Sequence, residues 1–193
     1  MKRKYNFINC IYRFINNKSS IENKISTIGV ANYFKNFKLS DGSLVNVQIV
    51  DTSGQEKFRA INESYYRLAD CALLVYDIGD EKSFKECKYY SKQIKERCKK
   101  NIQVILLGNK TDLQNKRKIP SEKGGRFASE KHYIFMETSC LKNTNVADAF
   151  TTLIEITNRE CQKNNNSKKD KNSGIKISKT IHKKSHKEKK KCC

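Results

Sequence analysis

Two continuous apolar runs, at residues 72–76 and 104–107, constrain the fold of this chain more than any other feature. Such runs are typical of the interior strands of a parallel sheet that is covered on both faces. Helical patterns alternate with these and other apolar segments, which indicates a mostly parallel sheet flanked by helices. We therefore predict an α/β fold, and 193 residues suffice for one such domain with an appendage.

Periodicity and turn signals place the other elements of this fold. Apolar patterns predict strands at Tyr33–Leu39, Leu44–Val50 and Tyr133–Met136, and Val45, Val47 and Ile49 of the second share one face. The first two form a hairpin, because an Asp-Gly turn signal at residues 41–42 separates them. Helical spacing predicts five helices, at Ile8–Asn16, Phe58–Leu68, Lys82–Cys98, Glu122–Lys131 and Val146–Glu160.

The positive charge is concentrated at the carboxyl end of the chain. Residues 161–193 hold twelve lysines and two acidic residues, a net +10 out of the total of +20. From Gln162 onward the chain has few apolar residues, so burial does not offset its ordering entropy and we expect it to be disordered. The sequence thus predicts a domain at 1–160 and a basic tail at 161–193, which needs an anionic partner such as a membrane surface or nucleic acid.

The eight cysteines indicate a reducing compartment. The first six form no C-x-x-C pair, and the three histidines do not complete a zinc ligand set. Scattered free thiols, most of them buried, are the expected state.

Polar residues interrupt the amino-terminal apolar stretch, so it does not read as a signal peptide, and no apolar run is long enough to span a bilayer. We expect a cytosolic protein.

Polar residues cluster after three of the predicted strands, at 51–55 (DTSGQ), 108–112 (GNKTD) and 137–140 (ETSC). In open α/β sheets ligands bind beyond the carboxyl ends of the strands, so these clusters share one rim. Each alone reads as a loop or a helix cap, but the three in this order favour a ligand site. The Asp112 carboxylate can accept from two adjacent N–H donors of a guanine edge, and adenine lacks that pair.

These segments resemble the D-x-x-G, N-K-x-D and S-A-K motifs of small GTPases. The Rab subfamily is indicated by residues 26–30 (STIGV), 51–58 (DTSGQEKF), 65–67 (YYR) and 74–78 (LVYDI). The resemblance covers about Cys10 to Glu160. It implies the P-loop-NTPase-like fold of small GTPases and a switch in vesicle trafficking that binds GTP or GDP with Mg²⁺ and hydrolyses GTP slowly.

The resemblance also implies a role for individual residues. Gln55 is the catalytic candidate and would orient the attacking water, while Thr27 and Asp51 would hold Mg²⁺. Asn109 would brace the base site and the Lys110 stem would pack along the base. The predicted GTP-binding set is Thr27, Asp51, Gly54, Asn109, Lys110, Asp112, Ser139, Cys140 and Leu141.

The chain ends in Cys192 and Cys193 after three lysines, which resembles the double geranylgeranylation signal of Rab proteins. Two lipid chains give stable anchoring, so the resemblance implies attachment to the cytoplasmic face of an endomembrane or the plasma membrane. It also implies partners: Rab escort and GDP-dissociation-inhibitor-type proteins, an exchange factor, a GTPase-activating protein and effectors. The tail has no aromatic residues, and we expect no nucleic-acid partner.

The phosphate-binding pattern G-x-x-x-x-G-K-[ST] does not occur before the first of these motifs, and the first glycine is Gly29. Without the strand that precedes this loop, the neighbouring strands are expected to expose their edges. Three interpretations remain: a Rab-like GTPase whose printed sequence lacks its start, a nucleotide-poor scaffold or decoy for Rab partners, and a basic nucleic-acid binder. The intact guanine motifs and Gln55 favour the first.

Overall fold

The computed structural model describes residues 5–16, 30–52 and 59–169. The described helices are α1 (Tyr5–Asn16), α2 (Arg59–Leu68), α3 (Glu81–Arg97), α4 (Ser121–Glu130) and α5 (Val146–Lys169). The described strands are β1 (Val30–Lys38), β2 (Leu44–Thr52), β3 (Cys71–Asp77), β4 (Gln103–Asn109) and β5 (Ile134–Thr138). This order confirms the predicted α/β fold. None of the described helices is both long and apolar enough to cross a membrane.

A three-stranded parallel sheet in the order β3-β4-β5 forms the centre of the fold. Its middle strand is buried on both faces, as the continuous apolar run predicts. Leu106 packs on one face in a cluster with side chains of α3 and α4. Ile105 and Leu107 pack on the other face against Ala149 and Leu153 of α5. Helices therefore cover both faces and leave the carboxyl ends of the strands open for a site.

The predicted hairpin is confirmed as the antiparallel pair β1–β2. Its turn has Gly42 at φ +83°, a left-handed conformation that favours glycine, and the Ser43 N–H donates to the Asp41 carboxylate at 2.9 Å. Val45 and Val47 pack beside Phe14 of α1 in a cluster that also includes α5. The inward residues of the hairpin thus attach it to the helices.

The hairpin and the three-stranded sheet do not pair with each other among the described residues. The facing edges of β2 and β3 instead line a cavity of about 1370 Å³. This gap agrees with the expectation that neighbouring strands of the sheet expose their edges. Unpaired edges are places where another strand can add to a sheet.

The carboxyl-terminal helix is longer than predicted. α5 continues to Lys169, past the expected end at Glu160 and into the segment predicted to be disordered from Gln162. A helix that has already formed extends by one hydrogen bond for each residue that it orders, so a polar segment can still prolong it. The other predicted elements match the described ones apart from small differences at their ends.

The expectation of free cysteines is wrong for one pair among the described residues. Cys10 of α1 and Cys140, after β5, are joined by a disulfide, with their Cα atoms 5.3 Å apart. The two cysteines are 130 residues apart in sequence, so spacing motifs could not reveal the pair. The fold brings them together because α1 packs beside α5 and the loop that leads into it. Cys71, Cys87, Cys98 and Cys161 are free, as predicted.

The buried hydroxyl of Tyr76 has no hydrogen-bond partner among the described residues. It packs against Gly124, where an added Cβ would come within 2.4 Å of the hydroxyl oxygen. Burial of this unpaired hydroxyl raises the pKa of Tyr76 well above its usual range. An unsatisfied buried polar group costs about 1–3 kcal/mol, so the hydroxyl lowers the stability of the fold.

We therefore expect Tyr76→Phe to raise the free energy of unfolding by about 1 kcal/mol. Tyr133→Phe is the matched control, because the Tyr133 hydroxyl shares a 2.9 Å hydrogen bond with Ser91 Oγ. That change should lower the free energy of unfolding by about 0.5–1.5 kcal/mol. Urea denaturation of both variants measures the two changes. A destabilised Tyr76→Phe protein would show that its hydroxyl is satisfied in solution.

Candidate guanine-nucleotide site

The end of β4 places a buried amide beside the end of β5. Asn109 is only 1% exposed, and it pairs in register with Thr138 of β5. Asn109 Oδ1 accepts from Thr138 Oγ1 at 3.3 Å and from the Cys140 backbone N–H at 3.3 Å. One amide oxygen therefore ties the end of β4 to the loop after β5.

Asp112 faces the same loop from a short 3₁₀ turn, Thr111–Lys116. Its Oδ1 accepts a hydrogen bond of 2.5 Å from Ser139 Oγ. Ser139 Oγ in turn accepts from the Lys142 backbone N–H at 3.0 Å, and Ser139 exchanges two backbone hydrogen bonds with Thr144. A carboxylate offers about four lone-pair sites, so Asp112 keeps acceptor capacity for donors of a ligand while the serine fixes its orientation.

Lys110 has a left-handed backbone at φ 72° and reaches across to the end of β3. Its Nζ lies 2.6 Å from Asp77 Oδ2, and both side chains are mostly buried. The Gly79 backbone N–H also donates to Asp77, at 2.9 Å. Residues held in sparsely populated conformations cluster at binding sites, because the strain persists only where the surroundings fix it. Asp77 is not among the predicted site residues, although its position at the carboxyl end of β3 puts it on the predicted rim.

Asp51 is buried at the carboxyl end of β2 and lines the same cavity as Asp77 and Lys110. Mg²⁺ prefers one or two carboxylates with several waters and phosphate oxygens, and a buried carboxylate beside open space fits this ion. The described residues include no group of three or more His, Cys, Asp or Glu side chains that could hold a metal ion.

A bidentate ion pair lies at the end of β5, next to the loop at residues 139–144. Arg117 donates to both carboxylate oxygens of Glu137, at 2.7 and 3.0 Å, and to the Ile119 carbonyl at 3.1 Å. The hydrogen bonds to Glu137 raise the pKa of Arg117 above its usual value. Asn145 Nδ2 donates to the Glu137 backbone carbonyl at 2.9 Å. These supporting residues were missed, since no local motif marks partners that lie 20 residues apart.

The structure thus brings four of the predicted site residues into one hydrogen-bonded cluster: Asn109, Asp112, Ser139 and Cys140. The Leu141 side chain is exposed, but its carbonyl accepts from Arg13 Nη2 at 2.9 Å. Five predicted residues lie outside the described residues, and their roles stay predictions: Thr27, Gly54, Gln55, Cys192 and Cys193.

Known proteins have a similar sequence over most of this chain. The sequence profile of the Ras family matches residues 9–159. The Ras-related protein RABA1b of Arabidopsis thaliana is 43% identical over 146 residues, which are 76% of this chain and 67% of that protein. The GTP-binding protein ypt3 of Schizosaccharomyces pombe is 42% identical over the same shares. The Ras-related protein Rab11A of Lotus japonicus is 42% identical over 142 residues, 74% of this chain and 62% of that protein.

The fold and the cluster at its rim define an α/β domain with hydrogen-bond acceptors at the carboxyl ends of its parallel strands. The profile match spans most of the chain, and the relatives are identical at more than two residues in five. The chain belongs to the Ras family of small GTPases and is Rab-like. It spans about two thirds of the length of these relatives.

Proposed function

We propose that this chain is a Rab-like switch that binds GTP or GDP, hydrolyses GTP slowly and acts in vesicle trafficking from a membrane. The observation that carries the proposal is the hydrogen-bonded cluster of Asn109, Asp112, Ser139 and Cys140 at the carboxyl rim of the sheet. Membership of the Ras family supports the same function. The name of ypt3, a GTP-binding protein, agrees with it.

The cluster selects guanine by the number and direction of its acceptors. Asp112, held by Ser139, accepts from the ring N–H and the exocyclic amino group of guanine. The Ser139 N–H donates to the Thr144 carbonyl and the Cys140 N–H to Asn109 Oδ1, so the guanine carbonyl accepts from the Leu141 N–H or displaces one of these two bonds. Adenine presents a single donor and no carbonyl on this edge, so it leaves buried groups unpaired and is rejected.

The phosphate side of the site completes the switch. Asp51 and Thr27 would hold Mg²⁺, which would supply charge neutralisation at the phosphates. Gln55 orients the water that attacks the γ-phosphate, and the Gly54 N–H senses that phosphate. Loss of the γ-phosphate releases the segments around Thr27 and Gln55, which changes the surface that partners recognise.

The absence of the glycine-rich phosphate loop pattern predicts weak binding by a polypeptide of this sequence. Such a loop donates several charge-assisted hydrogen bonds, each worth roughly 1.5–3 kcal/mol. The loss of four or five of them lowers affinity by about five orders of magnitude. Base recognition alone, at about 4–8 kcal/mol, gives a dissociation constant between about 1 μM and 1 mM.

The proposal is tested by titrating the purified chain with fluorescent GDP in the presence of Mg²⁺. We expect a saturable curve in that range, which unlabelled GDP reverses and unlabelled ADP does not. Binding tighter than about 1 μM would contradict the estimated loss at the phosphates. Absence of binding up to several millimolar GDP would overturn the function itself.

A second candidate function is a nucleotide-poor scaffold or decoy for Rab partners. The cavity of about 1370 Å³ between β2 and β3 favours it, since unpaired strand edges there weaken the support of Asp51. In this case the chain binds Rab regulators or effectors equally well with GDP, with GTP and without nucleotide. A pull-down from the same lysate under the three conditions separates the two functions.

A further inference from the structure

The helix α1 contacts the loop at residues 139–144 through two residues on one of its faces. This loop is called the guanine-recognition loop after the role that the proposed function gives it. Cys10 is bonded to Cys140, and Arg13, one turn later, donates to the Leu141 carbonyl at 2.9 Å. Residues three apart lie on the same side of a helix, so a single face of α1 meets two consecutive loop residues. The Cys140 backbone N–H also donates to Asn109 Oδ1. The contact therefore joins α1 directly to the site.

We propose that Cys10 and Cys140 are a redox modification site, a dithiol–disulfide couple that controls how firmly α1 holds the guanine-recognition loop. The Cα separation of 5.3 Å lies within the range that a disulfide spans without backbone movement. Both residues are almost fully buried, at 1% and 7% exposure, so the pair is shielded from other thiols of the chain. No other pair of cysteines among the described residues is bonded.

The oxidant is a low-molecular-weight disulfide, such as glutathione disulfide. One cysteine loses its proton, and its thiolate attacks a sulfur of the small disulfide, forming a mixed disulfide and releasing one small thiolate. The thiolate of the second cysteine then attacks the Sγ atom of the first cysteine. This step forms the Cys10–Cys140 bond and releases the second small thiolate. The released thiolates take up both protons. Two cysteine thiols are oxidised and one small disulfide is reduced to two thiols.

The buried position of the pair makes this exchange slow. Access requires the loop at residues 139–144 to open, and Leu141 within it already exposes 54% of its side chain. In the oxidised state the covalent bond and the Arg13 hydrogen bond hold the loop from the same helix face. In the reduced state only the hydrogen bond and packing remain, so the loop opens more often. The couple therefore sets the mobility of the residues that contact the base.

The experiment uses the full chain with Cys192→Ser and Cys193→Ser, which removes the tail thiols. Samples are equilibrated with glutathione disulfide or with dithiothreitol, and free thiols are alkylated and mapped by mass spectrometry. We expect a linked Cys10–Cys140 peptide in the oxidised sample and two alkylated cysteines in the reduced sample. Oxidation should raise Tm by at least about 4 °C and slow amide hydrogen exchange in residues 139–144.

Two variants assign these shifts to the pair. Cys140→Ala should remove both the Tm rise and the slower exchange, and Cys10→Ser should do the same if the first variant folds poorly. Cys87→Ala is the matched control, because Cys87 is equally buried but free, and its protein should keep the full response. The proposal is overturned if the oxidised parent contains no linked peptide, or if Cys140→Ala responds as the parent does. These readouts need no nucleotide, so they stand apart from the proposed function.

Discussion

Replacement of Asp112 by alanine is expected to lower the affinity for GDP by at least about 100-fold. Two charge-assisted hydrogen bonds to the base are lost, each worth about 1.5–3 kcal/mol, and every 1.4 kcal/mol changes the affinity about tenfold. The fold should survive, because the Asp112 side chain is only partly buried and lies in a short 3₁₀ turn. Titration followed by ¹H–¹⁵N NMR measures the change, since it reaches millimolar dissociation constants.

Two further variants separate recognition from charge. Asp112→Asn replaces an acceptor by a donor, so we expect it to lose GDP and to gain affinity for xanthosine diphosphate, which carries a carbonyl in place of the amino group. Glu130→Gln removes an exposed carboxylate at the end of α4 and should leave GDP binding unchanged. If Asp112→Ala binds GDP as the parent does, the carboxylate does not contact the base.

The second large effect is expected at the end of the tail. Replacement of both Cys192 and Cys193 by serine should remove the protein from the membrane fraction of eukaryotic cells. Single lipid chains give only marginal, reversible binding, so each single replacement should leave a smaller, exchangeable membrane pool. The tail lysines add about 1 kcal/mol each near an anionic leaflet, and this residual binding should fall as salt is raised.

Cell fractionation and flotation with vesicles that contain anionic lipid measure both effects. Cys161→Ser is the matched control, because this exposed cysteine lies on α5 and outside the terminal pair. It should leave the membrane pool unchanged. A double-serine protein that stays on membranes after a salt wash would show that the terminal cysteines are not the anchor.

The main elements of the fold could be predicted because their signals are local. The continuous apolar runs at residues 72–76 and 104–107 predict interior strands, and the structure confirms both strands as β3 and β4. β4 is buried on both faces, whereas β3 is only partly buried on the face of Leu73 and Val75. The Asp-Gly signal fixed the hairpin for the same reason, since Gly42 adopts the positive φ that such a turn requires. The end of α5 was missed, because helix propagation into a polar segment leaves no apolar pattern to read.

Only part of the site could be predicted. The rule that ligands bind at strand ends located four residues at or just beyond the carboxyl ends of β4 and β5: Asn109, Asp112, Ser139 and Cys140. The Arg117–Glu137 pair and the Cys10–Cys140 bond join residues that are distant in sequence, and no spacing rule relates such partners before the fold is known.

The central claim, that Asp112 reads the two adjacent donors of guanine, is tested most directly by comparing GDP with inosine diphosphate. The two nucleotides share their sugar, phosphates and ring carbonyl, and inosine lacks only the exocyclic amino group. Loss of one charge-assisted hydrogen bond predicts that the parent chain binds inosine diphosphate about 10- to 100-fold more weakly. This difference should vanish in Asp112→Ala. Equal affinity of the parent for the two nucleotides would contradict the account.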